Sequence, residues 1–483
     1  MELAVPLVSW RVIAPELIVL GVGILCLLLD LAPPQGRKAH LGIVGLFGLV
    51  LAVGVSLVLW GQDQRAFREM VALDRFSLFF NLIFCFAAAL TVMLSIDWLP
   101  RRGAERGEYY ALIFFALLGM MLMASGTDLI VIFLGLELMS LSLYVLAGFF
   151  FRQALSSSES AMKYFLLGAF ATGFFLYGIA LIYGATGSTN LGKVTAVLAK
   201  AAPARDPMLL IGVGLLLVGF GFKTATVPFH MWVPDVYQGA PTAVTALIAT
   251  GSKAAAFAAL LRVFVGVVGP DWRGLFWVLA VLTMTVGNVV AIAQGNLKRM
   301  LAYSSVAHAG YMLIGLVAGS PEGSAAILFY LLVYTFATMG AFGAILLLER
   351  QGEEAVQLSD YAGLGYRHPP LALCLALFML SLIGIPPLGG FVGKLYIFAA
   401  AIRGGYVWLA ILGVLNSVVA SYYYLRLIVY MYMREPEGPR VDRIPSFAAA
   451  AALGIALWGT VQLGLYPAPL FDLARSAVLP LFR

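Results

Sequence analysis

The chain has 483 residues, of which 62% are hydrophobic and only 11% are charged. A soluble protein carries about a quarter of charged residues, so this composition excludes a soluble globular protein and indicates a multi-pass membrane protein. The formal net charge is +6, but the basic residues are scattered in short loops and form no patch with interleaved aromatic residues. We therefore predict an all-α protein that contacts the lipid bilayer and binds no nucleic acid.

Composition and motifs also exclude several kinds of cofactor site. Cys26, Cys85 and Cys374 lie far apart in apolar runs, without the close spacing that holds a structural zinc ion or an iron–sulfur cluster. No GxGxxG or GxxxxGK[ST] segment is present, so we expect no dinucleotide or nucleoside triphosphate site. We predict no cofactor and no metal in this chain.

A spanning helix needs about 20 apolar residues, and the N-terminal segment, which lacks the features of a cleaved signal peptide, is expected to lead into the first one. On that rule we predict about fourteen helices, in chain order near 12–31, 39–60, 76–97, 108–125, 127–150, 160–186, 207–238, 241–267, 273–293, 297–318, 322–349, 370–402, 406–433 and 446–467.

The even number of helices predicts that both termini lie on one side of the membrane. A small excess of basic residues, which includes Arg37, Arg101, Lys298 and Arg434, favours the opposite side as cytoplasmic. Both termini are therefore expected on the outer, periplasmic side.

Two of the predicted helices are interrupted. The seventh reads GFGFKTATVPFHMWVP and is expected to break at 226–234, whereas the twelfth reads GIPPLGGFVGK and is expected to break at 386–393. Proline lacks a backbone N–H and obstructs the preceding turn, and an irregular backbone at membrane depth is tolerated only inside protein or beside a wet cavity. These segments therefore indicate an internal site.

The interrupted helices are five positions apart, and each carries one lysine, which predicts a duplicated five-helix unit. Because five is odd, the two copies insert in opposite orientations and form an inverted repeat. We divide the chain into an N-terminal three-helix segment (1–107), a first repeat (108–267), a second repeat (268–433) and a C-terminal helix (434–483).

Four ionisable residues lie deep in these apolar runs. Glu137 is in the middle of its helix, where acids are functional by default; the alternative is a hydrogen-bonded acid that joins two helices. For Lys223, Lys253 and Lys394 we predict proton transfer, because a buried lysine near a moving charge changes between amine and ammonium. For Lys223 and Lys394 the alternative is an ammonium group that caps the carbonyls of a broken helix.

Other polar residues are more ambiguous. Lys163 lies about one turn into its helix and is either a relay residue or a lysine that reaches the interface. His230 and His308 are the histidines at membrane depth; a neutral imidazole transfers protons well, and the polar neighbours in YSSVAHAGYM favour that role for His308. We interpret Arg262 and Arg426, near helix ends, as anchors.

At these residues the sequence resembles the antiporter-like membrane subunits of respiratory complex I, the NADH-quinone oxidoreductase, and their relatives in multisubunit Na⁺/H⁺ antiporters. The resemblance covers about residues 75–435 and rests on GLELMSLSLY, GFGFKTATVPFHMWVPDVYQGAPT, GSK, LAYSSVAHAGYM and GIPPLGGFVGK. It is greatest for the N-type branch of the family, which has about fourteen helices, no long lateral helix and a lysine at the position of Lys394.

The resemblance implies a translocase subunit that moves protons and is driven by quinone reduction elsewhere in the complex. NADH, FMN, iron–sulfur clusters and quinone are expected in partner subunits, and the neighbours are expected to be a homologous antiporter-like subunit and small membrane subunits of the bacterial inner membrane. It further implies that Glu137 pairs with Lys223 and faces the neighbouring subunit. Lys223 would serve a first half-channel and Lys394 a second one, and Lys253 and His308 would carry protons along the central axis. Lys163 and His230 would be supporting relay or gating residues.

Two alternatives remain open from the sequence. One is a subunit of a multisubunit Na⁺/H⁺ antiporter or of a related membrane-bound hydrogenase, although Na⁺ prefers hard oxygen ligands and lysines dominate the membrane interior here. The other is a structural subunit whose buried charges have no function.

Overall fold

A computed structural model describes residues 9–31, 38–152, 154–200, 206–266, 272–350, 353–435, 441–443 and 446–482. Within these ranges, thirteen helices are long and apolar enough to cross a membrane. The predicted multi-pass, all-α architecture is therefore confirmed. Arg37 and the predicted repeat boundary at 267/268 lie outside the described residues.

The helices follow the predicted order. They are α1 Ala14–Asp30, α2 Ala39–Val58, α3 Arg75–Ile96, α4 Trp98–Arg101, α5 Gly107–Ser125, α6 Leu129–Ala147, α7 Leu155–Thr186, α8 Leu191–Lys200, α9 Pro207–Thr224, α10 Val233–Gly239, α11 Thr242–Leu247, α12 Lys253–Gly266, α13 Arg273–Ile292, α14 Leu297–Ala318, α15 Pro321–Leu346, α16 Leu364–Arg367, α17 Pro369–Ile383, α18 Gly389–Arg403, α19 Val407–Met433, α20 Phe447–Leu465 and α21 Ala468–Val478. A π-helical turn, Ile248–Ser252, joins α11 to α12 in one spanning helix.

Short strands that the sequence analysis did not predict occur in the loops. β1 (Gln64–Ala66) pairs with β2 (Val71–Leu73), and β3 (Leu348–Arg350) lies between β4 (Glu353–Glu354) and β5 (Val441–Arg443). All pairs are antiparallel. These small sheets tie the loops together outside the helices.

Both predicted breaks are present. α9 ends at Thr224 and α10 begins at Val233, which matches the expected position. The twelfth predicted helix is two shorter helices, α17 and α18, and its break runs over 384–388 instead of 386–393. α17 ends at Ile383 and is followed by Gly384, whose φ of +96° is accessible to glycine at little cost; the next helix begins at Gly389. Because neither piece is long enough to span alone, thirteen uninterrupted spans are found instead of about fourteen.

The C-terminal segment contains more than the single predicted helix. α20 is followed by α21, which packs against α15 and α3. Its apolar residues Ala474, Ala477 and Val478 recur at helical spacing and are buried. The length of α21, below that of a spanning helix, explains why a search for apolar runs of about 20 residues misses it.

Glycines allow close contacts between helices. A Cβ atom on Gly119 of α5 would lie 2.4 Å from the backbone nitrogen of Met139 in α6. One on Gly287 of α13 would lie 2.7 Å from the backbone nitrogen of Ala307 in α14. Small residues permit such backbone approach between helices in membranes. These two helix pairs open the first and second predicted repeats.

Burial separates central from peripheral helices. The span of α11 and α12 is completely buried, as is α15, and α14 nearly so, whereas α1, α2, α7 and α19 are mostly open to the surroundings. Phe47, Phe170 and Trp408 are among the exposed apolar side chains of the outer helices, as expected for surfaces that face lipid. The central helices are therefore the ones whose side chains are most completely shielded from the surroundings.

Two arginines interpreted as anchors have other roles. Arg262 is buried and donates to both carboxylate oxygens of Asp74 at 2.9 Å. Arg426 donates to the carbonyl of Ile292 at 3.0 Å, at the C-terminal end of α13, where a cation is favourable. Arg262 is thus part of an internal ion pair and Arg426 a helix cap, because each finds a polar partner within the protein.

Candidate functional site: a buried polar line

Lys253 begins α12 in the middle of the protein and is 2% exposed. Its ammonium group donates to the carbonyl oxygen of Ser305 and, at 2.5 Å, to the hydroxyl of Ser305. It also lies 5.8 Å from the ring centroid of Tyr334, a distance at which a cation is attracted by an aromatic face. The predicted position of Lys253 on the central axis agrees with this burial.

His308 follows one turn after Ser305 on α14 and is also 2% exposed. Its Nδ1 lies 2.6 Å from the hydroxyl of Tyr330, and its Nε2 lies 3.1 Å from the hydroxyl of Tyr424. Both ring nitrogens therefore have a hydroxyl partner that donates or accepts. This arrangement allows the imidazole to receive a proton on one side and release it on the other.

Lys394 in α18 is buried and lies at the second helix break. Its ammonium group donates to the carbonyl of Ile383, the last residue of α17, at 2.8 Å and to the hydroxyl of Ser417 at 3.2 Å. It is 4.5 Å from the ring centroid of Tyr311. The capping contact that we considered as the alternative for Lys394 is therefore present, together with a polar contact that leads into α19.

One face of α14 lies between Lys253 and Lys394 and carries His308. Ser305, His308 and Tyr311 are spaced three residues apart, so they lie on the same side of the helix. Ser305 contacts Lys253 at one end, and Tyr311 lies beneath Lys394 at the other. We call this set, Lys253, Ser305, His308, Tyr311 and Lys394, the buried polar line.

Lys223 has a different environment. It is 3% exposed, in the last turn of α9, and its ammonium group has no hydrogen-bond partner among the described residues. The rings of Tyr144, Tyr164 and Phe222 surround it at centroid distances of 5.2–5.5 Å. Aromatic faces hold the cation without fixing it, and the capping alternative is not realised for Lys223.

The expected ion pair between Glu137 and Lys223 is not formed. Glu137 instead accepts a hydrogen bond of 2.8 Å from the hydroxyl of Thr172, and no contact within 4.0 Å joins it to Lys223 in the described part of the chain. Glu137 is half-buried, and Leu134 and Leu141 on the same helix face are exposed. The structure thus shows no direct contact, but Glu137 is close enough to act on the ammonium group of Lys223 through its charge, and their functional pairing stays a prediction.

The two supporting residues lie apart from the buried polar line. Lys163 is 41% exposed and forms ion pairs of 2.6 Å with Glu159 and with Asp235 of α10, so its environment matches the alternative of a lysine near the surface. His230 is half-buried in the loop between α9 and α10, and its ring centroid is 6.5 Å from that of Tyr303.

Sequence reasoning missed most hydroxyl partners of the line. Tyr330 and Tyr334 are one turn apart on α15, and Tyr424 and Ser417 come from α19. Polar residues at helical spacing within an apolar span were the available signal, but tyrosine is common in membrane helices. The buried Glu16 of α1, a further acid within a spanning helix, was also missed.

A family model and a full-length relative place the chain in the same family. A family model described as "NADH:quinone oxidoreductase/Mrp antiporter, TM" matches residues 126–420, more than half of the chain. The NADH-quinone oxidoreductase subunit N of Trichlorobacter lovleyi is 49% identical over 98% of this chain and 97% of its own length.

Solved structures share the fold. A chain of respiratory complex I from Thermus thermophilus, determined with bound aureothin, matches with a TM-score of 0.81 and 40% identity, over 95% of this chain and 99% of that one. A chain of the Mrp complex from Dietzia has a TM-score of 0.84 over 98% of both chains but only 22% identity, which shows similarity of fold alone.

Proposed function

The chain belongs to the NADH:quinone oxidoreductase/Mrp antiporter membrane family, in the branch of subunit N, and on that premise we propose that it is a proton-translocating membrane subunit of a respiratory NADH-quinone oxidoreductase, or complex I. The family model and a full-length relative at 49% identity support the assignment. We take NADH as the electron donor and quinone as the electron acceptor of the complex from the name of this relative.

The observation that carries the proposal is the buried polar line. Two lysines and one histidine, each less than 5% exposed, lie on central helices, and each has at least one hydroxyl partner. Inserting a charged side chain at the centre of the bilayer costs about 2.5–3.5 kcal/mol on insertion scales. A row of several such groups at this depth therefore favours a role in transport. Amine, hydroxyl and imidazole groups each accept and release a proton, which the line requires.

We assign roles by position. Lys253 and His308 carry protons along the centre, and Lys394 passes them to the second half-channel at the break between α17 and α18. Lys223 and Glu137 act together in the first half-channel, in which the aromatic surroundings of the ammonium group let it move toward the acid and away from it. His230 and Lys163 support this half from the loop and the surface.

We further propose that partner subunits carry out the redox reaction. The present chain holds no redox centre, and NADH, FMN, iron–sulfur clusters and quinone are bound by partner subunits whose reaction drives the pump. Its neighbours are a homologous antiporter-like subunit and small membrane subunits. We place it in the bacterial inner membrane, with the inverted repeats 108–267 and 268–433 forming the two half-channels.

Replacing the ammonium groups tests the function. In the purified complex reconstituted into vesicles, Lys253→Ala or Lys223→Ala is expected to reduce quinone-driven proton uptake at least about tenfold, since loss of a proton-transfer group costs about 10²–10⁴ in rate. Lys193→Ala, which removes an exposed lysine of α8, is the control and should pump normally. Normal pumping by both buried variants in an assembled complex would show that the chain is a scaffold.

A role in a Na⁺/H⁺ antiporter or a membrane-bound hydrogenase has less support, because the Mrp chain shares only the fold at 22% identity. The proteins that co-purify with a tagged chain discriminate between these roles. Flavin and iron–sulfur subunits that accept electrons from NADH support complex I, whereas small membrane subunits alone support the antiporter.

A further inference from the structure

A cavity of about 400 Å³ opens among the loops at one end of the helices. Its walls come from the turn after α3, the start of α7, the α10–α11 corner, the start of α14 and strand β4. The polar lining residues that matter here are Ser157, Gln238, Asn296, Lys298 and Glu354. The volume is sufficient for several water molecules, since each occupies about 30 Å³ in the liquid.

Glu354 stands between this cavity and the protein interior. Its carboxylate accepts a hydrogen bond of 2.6 Å from the hydroxyl of Thr242, at the start of α11, and lies 3.4 Å from the ammonium group of Lys298. The side chain of Lys298 is 3% exposed and that of Glu354 is 17% exposed. Both residues line the cavity, and the acid is the more exposed member of the pair.

Two helix faces lead inward from this pair to the buried polar line. On α14, Lys298 and Ser305 are seven residues apart, so they lie on the same face with an axial separation of about 10 Å. On α11, Thr242 and Thr245 precede Lys253. Thr245 and Lys298 both donate to the carbonyl of Ala240, at 3.4 and 2.8 Å. Thr245 donates to the carbonyl of Tyr237 at 3.1 Å.

Tyr237 completes the inner end of this route. Its hydroxyl is 3.2 Å from that of Ser305, the residue that receives the ammonium group of Lys253. Polar groups on α10, α11 and α14 thus extend from the cavity to the first lysine of the buried polar line. These groups form a polar connection between the cavity and Lys253 within the described residues.

We propose that the cavity is the proton-uptake site of this chain and that Glu354 is the carboxylate that loads protons toward Lys253. The proposal rests on the proposed proton-translocating function and adds the place where protons enter. Glu354 accepts a proton from water in the cavity, which releases its ion pair with Lys298. The proton then moves inward to the amine of Lys253; the carboxylate is regenerated and pairs again with Lys298.

A purely structural role for Glu354 is the competing explanation, because the residue lies on β4 and pairs with Glu349 of β3. The two explanations differ in their dependence on pH. A loading group matters most when bulk protons are scarce, whereas a missing structural contact impairs the complex at every pH. The charged or titratable groups around Glu354 are Lys298, Arg102 across the cavity, Glu349 and Glu353 of the same hairpin, and Tyr361.

The test compares the rate of quinone-driven proton uptake in vesicles that contain the whole complex. We expect Glu354→Gln to lower the proton-uptake rate at least about fivefold at pH 8 and to approach the wild-type rate at pH 6. Glu354→Asp should restore part of the rate. Glu108→Gln is the matched control, because it removes an exposed carboxylate at the same end of the helices and outside the cavity lining.

Thr242→Val provides a second test if Glu354→Gln does not assemble. It keeps the acid and removes the 2.6 Å hydrogen bond, and slower uptake at high pH is again the expected result. Wild-type uptake by either assembled variant, while Lys253→Ala is inactive, would overturn the loading role and leave the proposed function intact. A defect of equal size at pH 6 and pH 8 would likewise overturn it, and wild-type pumping by Lys253→Ala would remove the function itself.

Discussion

Arg262 illustrates how single residues hold charge inside this protein. Its guanidinium group binds both oxygens of Asp74, donates to the carbonyl of Ala124 and lies 4.7 Å from the ring centroid of Phe76. The acid has a second partner, since it also accepts from the backbone N–H of Ser77 and caps α3. Both members of the pair therefore have further hydrogen bonds besides the ion pair, which helps a buried ion pair to be tolerated.

Breaking this pair should destabilise the protein strongly. Arg262→Met leaves the carboxylate of Asp74 buried and unpaired, which costs about 3–5 kcal/mol. We expect a lower thermal unfolding midpoint of the purified complex and less assembled protein in the membrane. Arg403→Met, at an exposed position, should leave the midpoint unchanged; equal effects of the two variants would contradict the argument.

The buried lysines differ from Arg262 because their partners are weaker. Lys253 and Lys394 bind hydroxyl and carbonyl oxygens, and Lys223 has only aromatic faces around it. No carboxylate lies within ion-pair distance of any of the three among the described residues. An ammonium group without a fixed anion releases its proton more easily than one in an ion pair, and this difference separates the residues that we propose for transport from the structural ion pair.

At the scale of elements, α10 is held by an ion-pair network after the first helix break. α10 lies outside the candidate spans, and its Asp235 accepts from Lys163 at 2.6 Å and from Arg299 at 2.7 Å. Partial burial acts to raise the pKa of Asp235, but the hydrogen bonds and charges of Lys163 and Arg299 outweigh it and lower the pKa below its usual value. The network thus connects α7, α10 and α14.

Because the pKa of Asp235 is lower in the folded protein than in the unfolded chain, the network stabilises the fold above the unfolded value of about 4 and loses this effect as the pH falls through the folded value. Asp235→Asn should therefore lower the unfolding midpoint at pH 7, by an amount equivalent to about 1 kcal/mol for partly exposed pairs. The difference from wild type should shrink below pH 4. Thermal unfolding at several pH values measures it, and a difference independent of pH would refute the assignment.

The broken helices have their backbone groups satisfied by specific side chains. Between α9 and α10, the N–H of Val227 donates to the hydroxyl of Thr283 at 3.1 Å, and the indole of Trp232 donates to the carbonyl of Phe222 at 2.9 Å. After α17, the ammonium group of Lys394 binds the terminal carbonyl. Such partners make an irregular backbone possible at membrane depth.

At the scale of the whole molecule, the number of membrane crossings determines where the termini lie. Thirteen uninterrupted spans together with the broken pair α17 and α18 give an even number of crossings. On our proposed topology, Arg101 and Arg434 lie on the side opposite the termini, which positive charge favours as cytoplasmic.

Reporter fusions test this topology. Fusions of alkaline phosphatase, which is active only outside the cytoplasm, to the N-terminus and to the C-terminus should both be active, and a fusion in the loop near Arg101 should be inactive. A green fluorescent protein fusion should give the opposite pattern at each position. Different results at the two termini would show that one predicted crossing is missing.

Most of the fold and several site residues were predictable because membrane insertion imposes strong patterns. The length of apolar runs located the spans, and prolines and glycines located both breaks. Lys253, His308 and Lys394 were found because charge is rare in such runs. The tyrosine and serine partners were not found, since hydroxyl residues are ordinary in helices and only packing shows which of them face a lysine.

By itself, the sequence determined which segments lie in the membrane, where two helices break and which charged groups are buried, because each of these follows from the cost of polar groups in lipid. Only the tertiary structure decided which groups meet. It separated Glu137 from Lys223, paired Arg262 with Asp74, placed Glu354 beside a cavity and aligned three residues of α14 between two lysines. The physical reason is that these contacts join residues distant in the chain, and their distances depend on how the helices pack.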